Sequence, residues 1–208
     1  MRGLRCPLYD GGVSPDARKM LALGDIAGAF AEYNRLSELG SGKARCVIAY
    51  ANLLGTQSLP KNIEEARKIA NSAVVLEPGF SNYILGCVSM LDTNWPASFR
   101  YFSLSGKAGF FPALSTSAKL MSQLYRLKDG DLRTSETIFL HATRKMHIPG
   151  ILYLAAFYKS GARGVSKRLL GLIVFPFAVA GSYLSCRFGI FSIRTFFYHP
   201  KLPELTKE

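Results

Sequence analysis

Four short glycine-marked junctions punctuate the chain: Glu38-Leu39-Gly40, Glu77-Pro78-Gly79, Lys107-Ala108-Gly109 and Ile148-Pro149-Gly150, at spacings of 39, 30 and 41 residues. Glycine, or Pro-Gly, at the end of an apolar helical pattern is a stop signal, because glycine accepts the left-handed backbone that a helix C-cap needs. Each junction therefore reads as one helix ending and the next beginning. Between junctions, apolar and small residues recur at helical spacing, as in Ala44, Val47, Ile48, Ala51 and Leu54, or Ile63, Ala66, Ile69, Ala70 and Ala73. Pro60 to Asn62 separates these two faces, and Asn94 to Pro96 separates the next two. Asn62, with Glu65 three residues on, has the pattern of an N-cap box. The repeating unit is helix, turn, helix, turn.

These residues resemble the Sel1-like branch of the tetratricopeptide superfamily. Gly40 followed by Ala44, and Gly109 followed by Ala113, match the closing Gly-x3-Ala element of that pattern. Gly55 occupies the terminal glycine of a first helix, and Leu85-Gly86 occupies the Leu-Gly pair. Tyr158 and Gly161 stand at the expected steps of the last unit, followed by Gly164-Val165 one residue later than usual, and Asp25 and Asp131 stand where second helices open. The resemblance covers about residues 20 to 165 and implies an all-α fold, a right-handed array of antiparallel helix pairs. It implies protein binding on a concave face as the function, so the chain is expected to be a scaffold holding another protein. Arg45, Asn52, Asn82, Ser89 and Lys119 are candidate exposed positions on the first helices.

No catalytic, cofactor or metal site is expected. His141 and His147 are six residues apart and diverge around a helix, whereas a metal pair wants a four-residue step. Glu64 and Glu65 are adjacent and point apart. No nucleophile elbow, phosphate-cradling glycine loop or HExxH motif occurs. Cys6, Cys46, Cys87 and Cys186 are far apart without a CxxC pair, so buried free thiols in a reducing compartment are expected. The N-terminus meets Pro, Asp and paired glycines before any apolar core, unlike a secretory signal, which puts the repeats on the cytoplasmic side.

Charge is unevenly placed. Residues 1 to 136 hold 16 Lys and Arg against 12 Asp and Glu, whereas residues 137 to 208 hold 10 against 2, out of a net +12. No acidic residue lies between Glu136 and Glu204, a stretch with nine basic ones. Within it Leu169 to Cys186, LLGLIVFPFAVAGSYLSC, is 18 residues without a charge, preceded by Lys167 and Arg168 and followed by Arg187. A second apolar run, Phe188 to Tyr198, contains Arg194. Basic residues among apolar ones, with no recognisable nucleic-acid-binding module, favour an anionic membrane surface over nucleic acid. Expected membrane contacts are Leu169, Leu172, Ile173, Phe175, Phe177 and Val179 in the first run, and Phe188, Phe191, Phe196 and Phe197 in the second. Lys167, Arg168, Arg187 and Arg194 are the expected contacts to anionic lipid.

Three forms of this segment compete. A single span would reach about 27 Å against a hydrocarbon core of about 30 Å, with Pro176 inside it and basic residues at both ends. A re-entrant or interfacial helix pair would keep both ends cytoplasmic. A last array helix, opened by Ser166 and closed by Gly181, would be buried by the tail or in an oligomer. The expected organisation is an N-terminal extension over 1–19, repeats over 20–165, a membrane-associated segment over 166–198 and a polar tail over 199–208. The competing functional expectation is a soluble or oligomeric structural subunit of a larger membrane-enzyme complex, with the apolar C-terminus as its interface.

Overall fold

A computed structural model of the chain describes residues 13–55, 60–110, 112–125, 132–144, 148–161 and 163–187; side chains at 22, 115, 119, 121–125, 142, 148–149 and 182–187 fall outside the description. The described chain is all-helical, with ten helices packed in adjacent pairs. They are α1 (Pro15–Leu23), α2 (Ile26–Glu38), α3 (Gly42–Leu54), α4 (Ile63–Ala73), α5 (Pro78–Leu91), α6 (Trp95–Lys107), α7 (Pro112–Tyr125), α8 (Leu132–Arg144), α9 (Ile148–Lys159) and α10 (Val165–Arg187). Two compact units divide at Ala108 and Gly109. The first holds three helix pairs and the second two.

Short polar side chains start five of these helices, each accepting a hydrogen bond from an amide that has no partner within the helix. Ser14 caps Ala17 N at 3.2 Å, Asp25 caps Gly28 N at 2.9 Å, Ser41 caps Ala44 N at 3.3 Å, Asn62 caps Glu65 N at 3.0 Å and Asn94 caps Ala97 N at 3.2 Å. The junctions are helix boundaries as expected, by two different devices. Gly40 and Gly109 adopt φ of +91° and +89°, the left-handed stop. Gly79 and Gly150 instead lie in the first turns of α5 and α9, where the neighbouring proline opens a helix that has lost nothing by lacking that N–H.

In the first unit, α5 lies among α3, α4 and α6 and is buried from Gly79 to Met90. The α5–α6 pair is antiparallel: Ser105 Oγ donates to the Gly79 carbonyl at 2.6 Å and Ser98 Oγ to the Gly86 carbonyl at 3.0 Å. At Gly86 the helices approach so closely that a Cβ would stand 2.6 Å from the Phe102 ring. First helices run alongside one another, with Cys46 Sγ of α3 3.2 Å from Ser81 Oγ of α5. Tyr50, Phe80, Tyr83 and Phe102 form a chain of ring contacts, with centroids 5.6 Å apart for Tyr50 and Phe80 and 5.8 Å for Tyr83 and Phe102. This coverage overturns part of the expected concave face. Asn52, Asn82 and Ser89 are buried, and Asn52 and Asn82 donate back to the carbonyls of Ile48 and Pro78 at 2.9 and 2.7 Å. Arg45 is half-buried, and the Lys119 side chain lies outside the described residues.

The second unit packs α7, α8 and α9 around Ala118, Leu132, Phe139, Leu154, Phe157 and Tyr158, with α10 laid along α9. The expected domain edge at 165/166 thus falls one residue inside α10, the second helix of the fifth pair. Gly181 does not close that helix: α10 continues to Arg187, with Pro176 inside it.

Candidate functional site

α10 has two unlike sides. Gly171, Val174, Phe175 and Ala178, at helical spacing, form its buried or half-buried side. At Gly171 a Cβ would overlap the backbone of Tyr158 and Lys159, so the two helices meet main chain to main chain. The other side is apolar and open. Of the twelve large apolar side chains exposed among the described residues, seven are on α10: Val165, Leu169, Leu170, Leu172, Ile173, Phe177 and Val179. Leu169, Ile173 and Phe177 are 57%, 64% and 72% exposed, and no carboxylate lies on α10.

The expected membrane contacts therefore divide. Leu169, Leu172, Ile173, Phe177 and Val179 are exposed together, while Phe175 turns toward α9, its ring centroid 4.4 Å from the Lys159 ammonium. Phe188, Phe191, Phe196, Phe197 and Arg194, and the Arg187 side chain, lie outside the described residues. Among the described residues no helix is long and apolar enough to cross a membrane.

At the N-terminal end of α10, Glu136 of α8 gathers three partners. Tyr158 Oη donates to Oε1 at 2.5 Å, Arg163 Nε to Oε2 at 2.7 Å, and Lys167 Nζ stands 3.4 Å from Oε1 and 4.8 Å from the Tyr158 ring centroid. Only 8% of Glu136 is exposed. Burial raises its carboxyl pKa, but the hydrogen bonds from Tyr158, Arg163 and Lys167 outweigh burial and hold it below the usual carboxylate range. The same burial and the adjacent carboxylate push the Tyr158 hydroxyl up. Lys167, an expected lipid contact, is thus also an internal ion-pair partner, whereas Arg168 is exposed. In the sequence Glu136 stands out only as the last acidic residue before a basic stretch. That isolation was the available signal, since one carboxylate beside many cations is pulled into their company.

The repeat-signature residues fall at structurally demanding places. Ala44, Leu85, Gly86 and Ala113 are buried in α3, α5 and α7, and Gly55 ends α3 against Lys61. Tyr158 belongs to the Glu136 cluster, Gly161 and Gly164 form the α9–α10 turn with positive φ, and Val165 opens α10. Among the described residues no three His, Cys, Asp or Glu side chains converge as a metal site. His141 is exposed, and His147 and Asp131 lie outside the described residues. Burial pushes the Cys46 and Cys87 thiols up to about 11 and about 12, so both are poor thiolates. The chain matches no protein-family model, and no curated protein matches it.

Proposed function

We propose that the chain is a non-enzymatic scaffold, a right-handed array of Sel1-like helix pairs tethered at the cytoplasmic side of a membrane to position a partner protein. The observation that carries the tether is the open apolar face of α10. Fully burying a Leu, Ile or Phe side chain contributes roughly 1.5–3 kcal/mol, so even half-exposed members of this face sum to several kcal/mol on meeting lipid. Each Lys or Arg close to an anionic surface adds about 1 kcal/mol, and the acid-free stretch after Glu136 supplies them without opposing charge. The scaffold part rests on paired helices with glycines at close approaches, on the resemblance of their spacing to the Sel1-like pattern, and on thiols unsuited to nucleophilic work.

Vesicle flotation tests the tether. Because α10 is the pair partner of α9, substitution on its outer face is a cleaner probe than its removal. The full chain is expected to float with vesicles of phosphatidylcholine and phosphatidylglycerol, and Ile173→Asp combined with Phe177→Asp to lose flotation while keeping helix content and melting temperature. A wild-type chain that stays unbound, and whose dimer is broken by the same pair of substitutions, would replace the tether with a subunit interface.

A further inference from the structure

On the reading that α10 meets lipid, we infer that it does so lying flat in the interface of one leaflet, still packed on α9, and does not enter the bilayer end-on. The decisive contact is Lys159 to Phe175. Phe175 is near the middle of the uncharged run Leu169 to Cys186, and the Lys159 ammonium sits 4.4 Å from its ring centroid. Were α10 to stand along the bilayer normal, that charge would lie near the centre of the hydrocarbon, where lysine is strongly disfavoured. With α10 in the plane of the membrane, the same ammonium sits at headgroup depth, beside Lys167 and Arg168.

Nor can α10 leave its neighbour behind. The backbone contact at Gly171 joins it to α9, whose 12 residues span about 18 Å, too short to cross a hydrocarbon core of about 30 Å. α9 in turn packs on α8, which exposes Arg133, His141 and Arg144. An end-on α10 would carry this charged surface toward lipid. A flat α10 keeps it in water and immerses only the outer face.

Depth measurement separates the two arrangements. In a Trp95→Phe background, tryptophan is placed singly at Leu169, Ile173, Phe177 or Ala180, all exposed and on one side of the helix. Each full-length variant is bound to phosphatidylcholine and phosphatidylglycerol vesicles and quenched by lipids brominated at successive acyl positions. Equal, shallow depths at all four positions are expected. The axial distance from residue 169 to 180 is about 16 Å, so a graded series approaching that spread overturns the inference while leaving the tether standing. Absence of binding by every variant and by the wild type overturns the tether, and the inference with it. Lys159→Gln supplies a second readout: about fivefold weaker binding to the anionic vesicles is expected of an in-plane helix, whereas unchanged or tighter binding would show that the charge is not held among the headgroups and would overturn the in-plane placement.

Discussion

α5 and α10 each contain a long stretch without charge, and their fates are opposite. Pro78–Leu91 contains no charged residue, and neither does α10 from Leu169 to its last described side chain. α5 is covered by α3, α4 and α6, whereas the extensive packing of α10 is with α9. Polarity runs against burial: the covered helix carries Ser81, Asn82 and Ser89, while the open one shows Leu, Ile, Phe and Val. Buried polar side chains in α5 are tolerable because they bond locally, Ser81 to the Glu77 carbonyl at 2.6 Å and Asn82 to that of Pro78 at 2.7 Å. The open face of α10 has no polar side chain from Leu169 to Gly181. The number of neighbours a helix has, and not its apolarity, decides whether it is core or surface.

Equivalent phenylalanines should break this comparison most sharply if it is wrong. Phe102 is fully buried against Gly86 and Tyr83, so Phe102→Ala is expected to cost about 3–5 kcal/mol. Phe177 is 72% exposed, so Phe177→Ala is expected to stay within about 0.5 kcal/mol. Urea unfolding of the two variants measures both. A comparable loss at Phe177 would mean that its face is covered in solution.

Two glycines of α10 sharpen the contrast between its sides. A methyl at Gly171 would run into the Tyr158–Lys159 backbone, which cannot rotate away as a side chain could, and Gly171→Ala is expected to destabilise by about 1–3 kcal/mol. Nothing lies within 4 Å of a Cβ at Gly181. There the same change is expected to stabilise by about 0.5–1 kcal/mol, through helix propensity alone. Opposite signs in thermal melts would establish that α10 has one docked side.

Helix pairs were legible from spacing and punctuation, because both arise from local chemistry: the Asn62 cap on Glu65, the Asp25 cap on Gly28 and the stops at Gly40 and Gly109 depend on neighbours along the chain. What covers a helix depends on distant residues. Hence Asn52 and Asn82, read as an exposed face, are buried, and α10, for which a span, a re-entrant or interfacial pair and a last array helix all compete in the sequence, has a packed side at Gly171 and an open one at Phe177. The Glu136 cluster draws on α8, α9 and α10 together, so the spacing of its members, 136, 158, 163 and 167, carries no periodic signal.

That cluster gives the smallest expected effect and joins the docked end of α10 to the rest of its unit. Glu136→Gln preserves the shape and an acceptor for Tyr158 but removes the charge that Arg163 and Lys167 face. Arg163 and Lys167 are partly solvated, at 31% and 43% side-chain exposure, so the loss near neutral pH is expected to be only about 1 kcal/mol. Its pH dependence identifies the cause. A carboxyl whose pKa is lower folded than unfolded contributes stability above its unfolded value, and that contribution is lost as pH falls through the folded value. The wild-type advantage over Glu136→Gln should therefore hold through neutral and mildly acid conditions and vanish once pH drops below the ordinary carboxylate range. An advantage that survives there would assign the effect to packing around the side chain. Vesicle flotation of the same variant then tests whether the cluster and the apolar face act separately: Lys167, freed from its carboxylate, should bind anionic lipid no worse than before, and a loss of flotation would mean that Glu136 sets the position of α10 at the membrane.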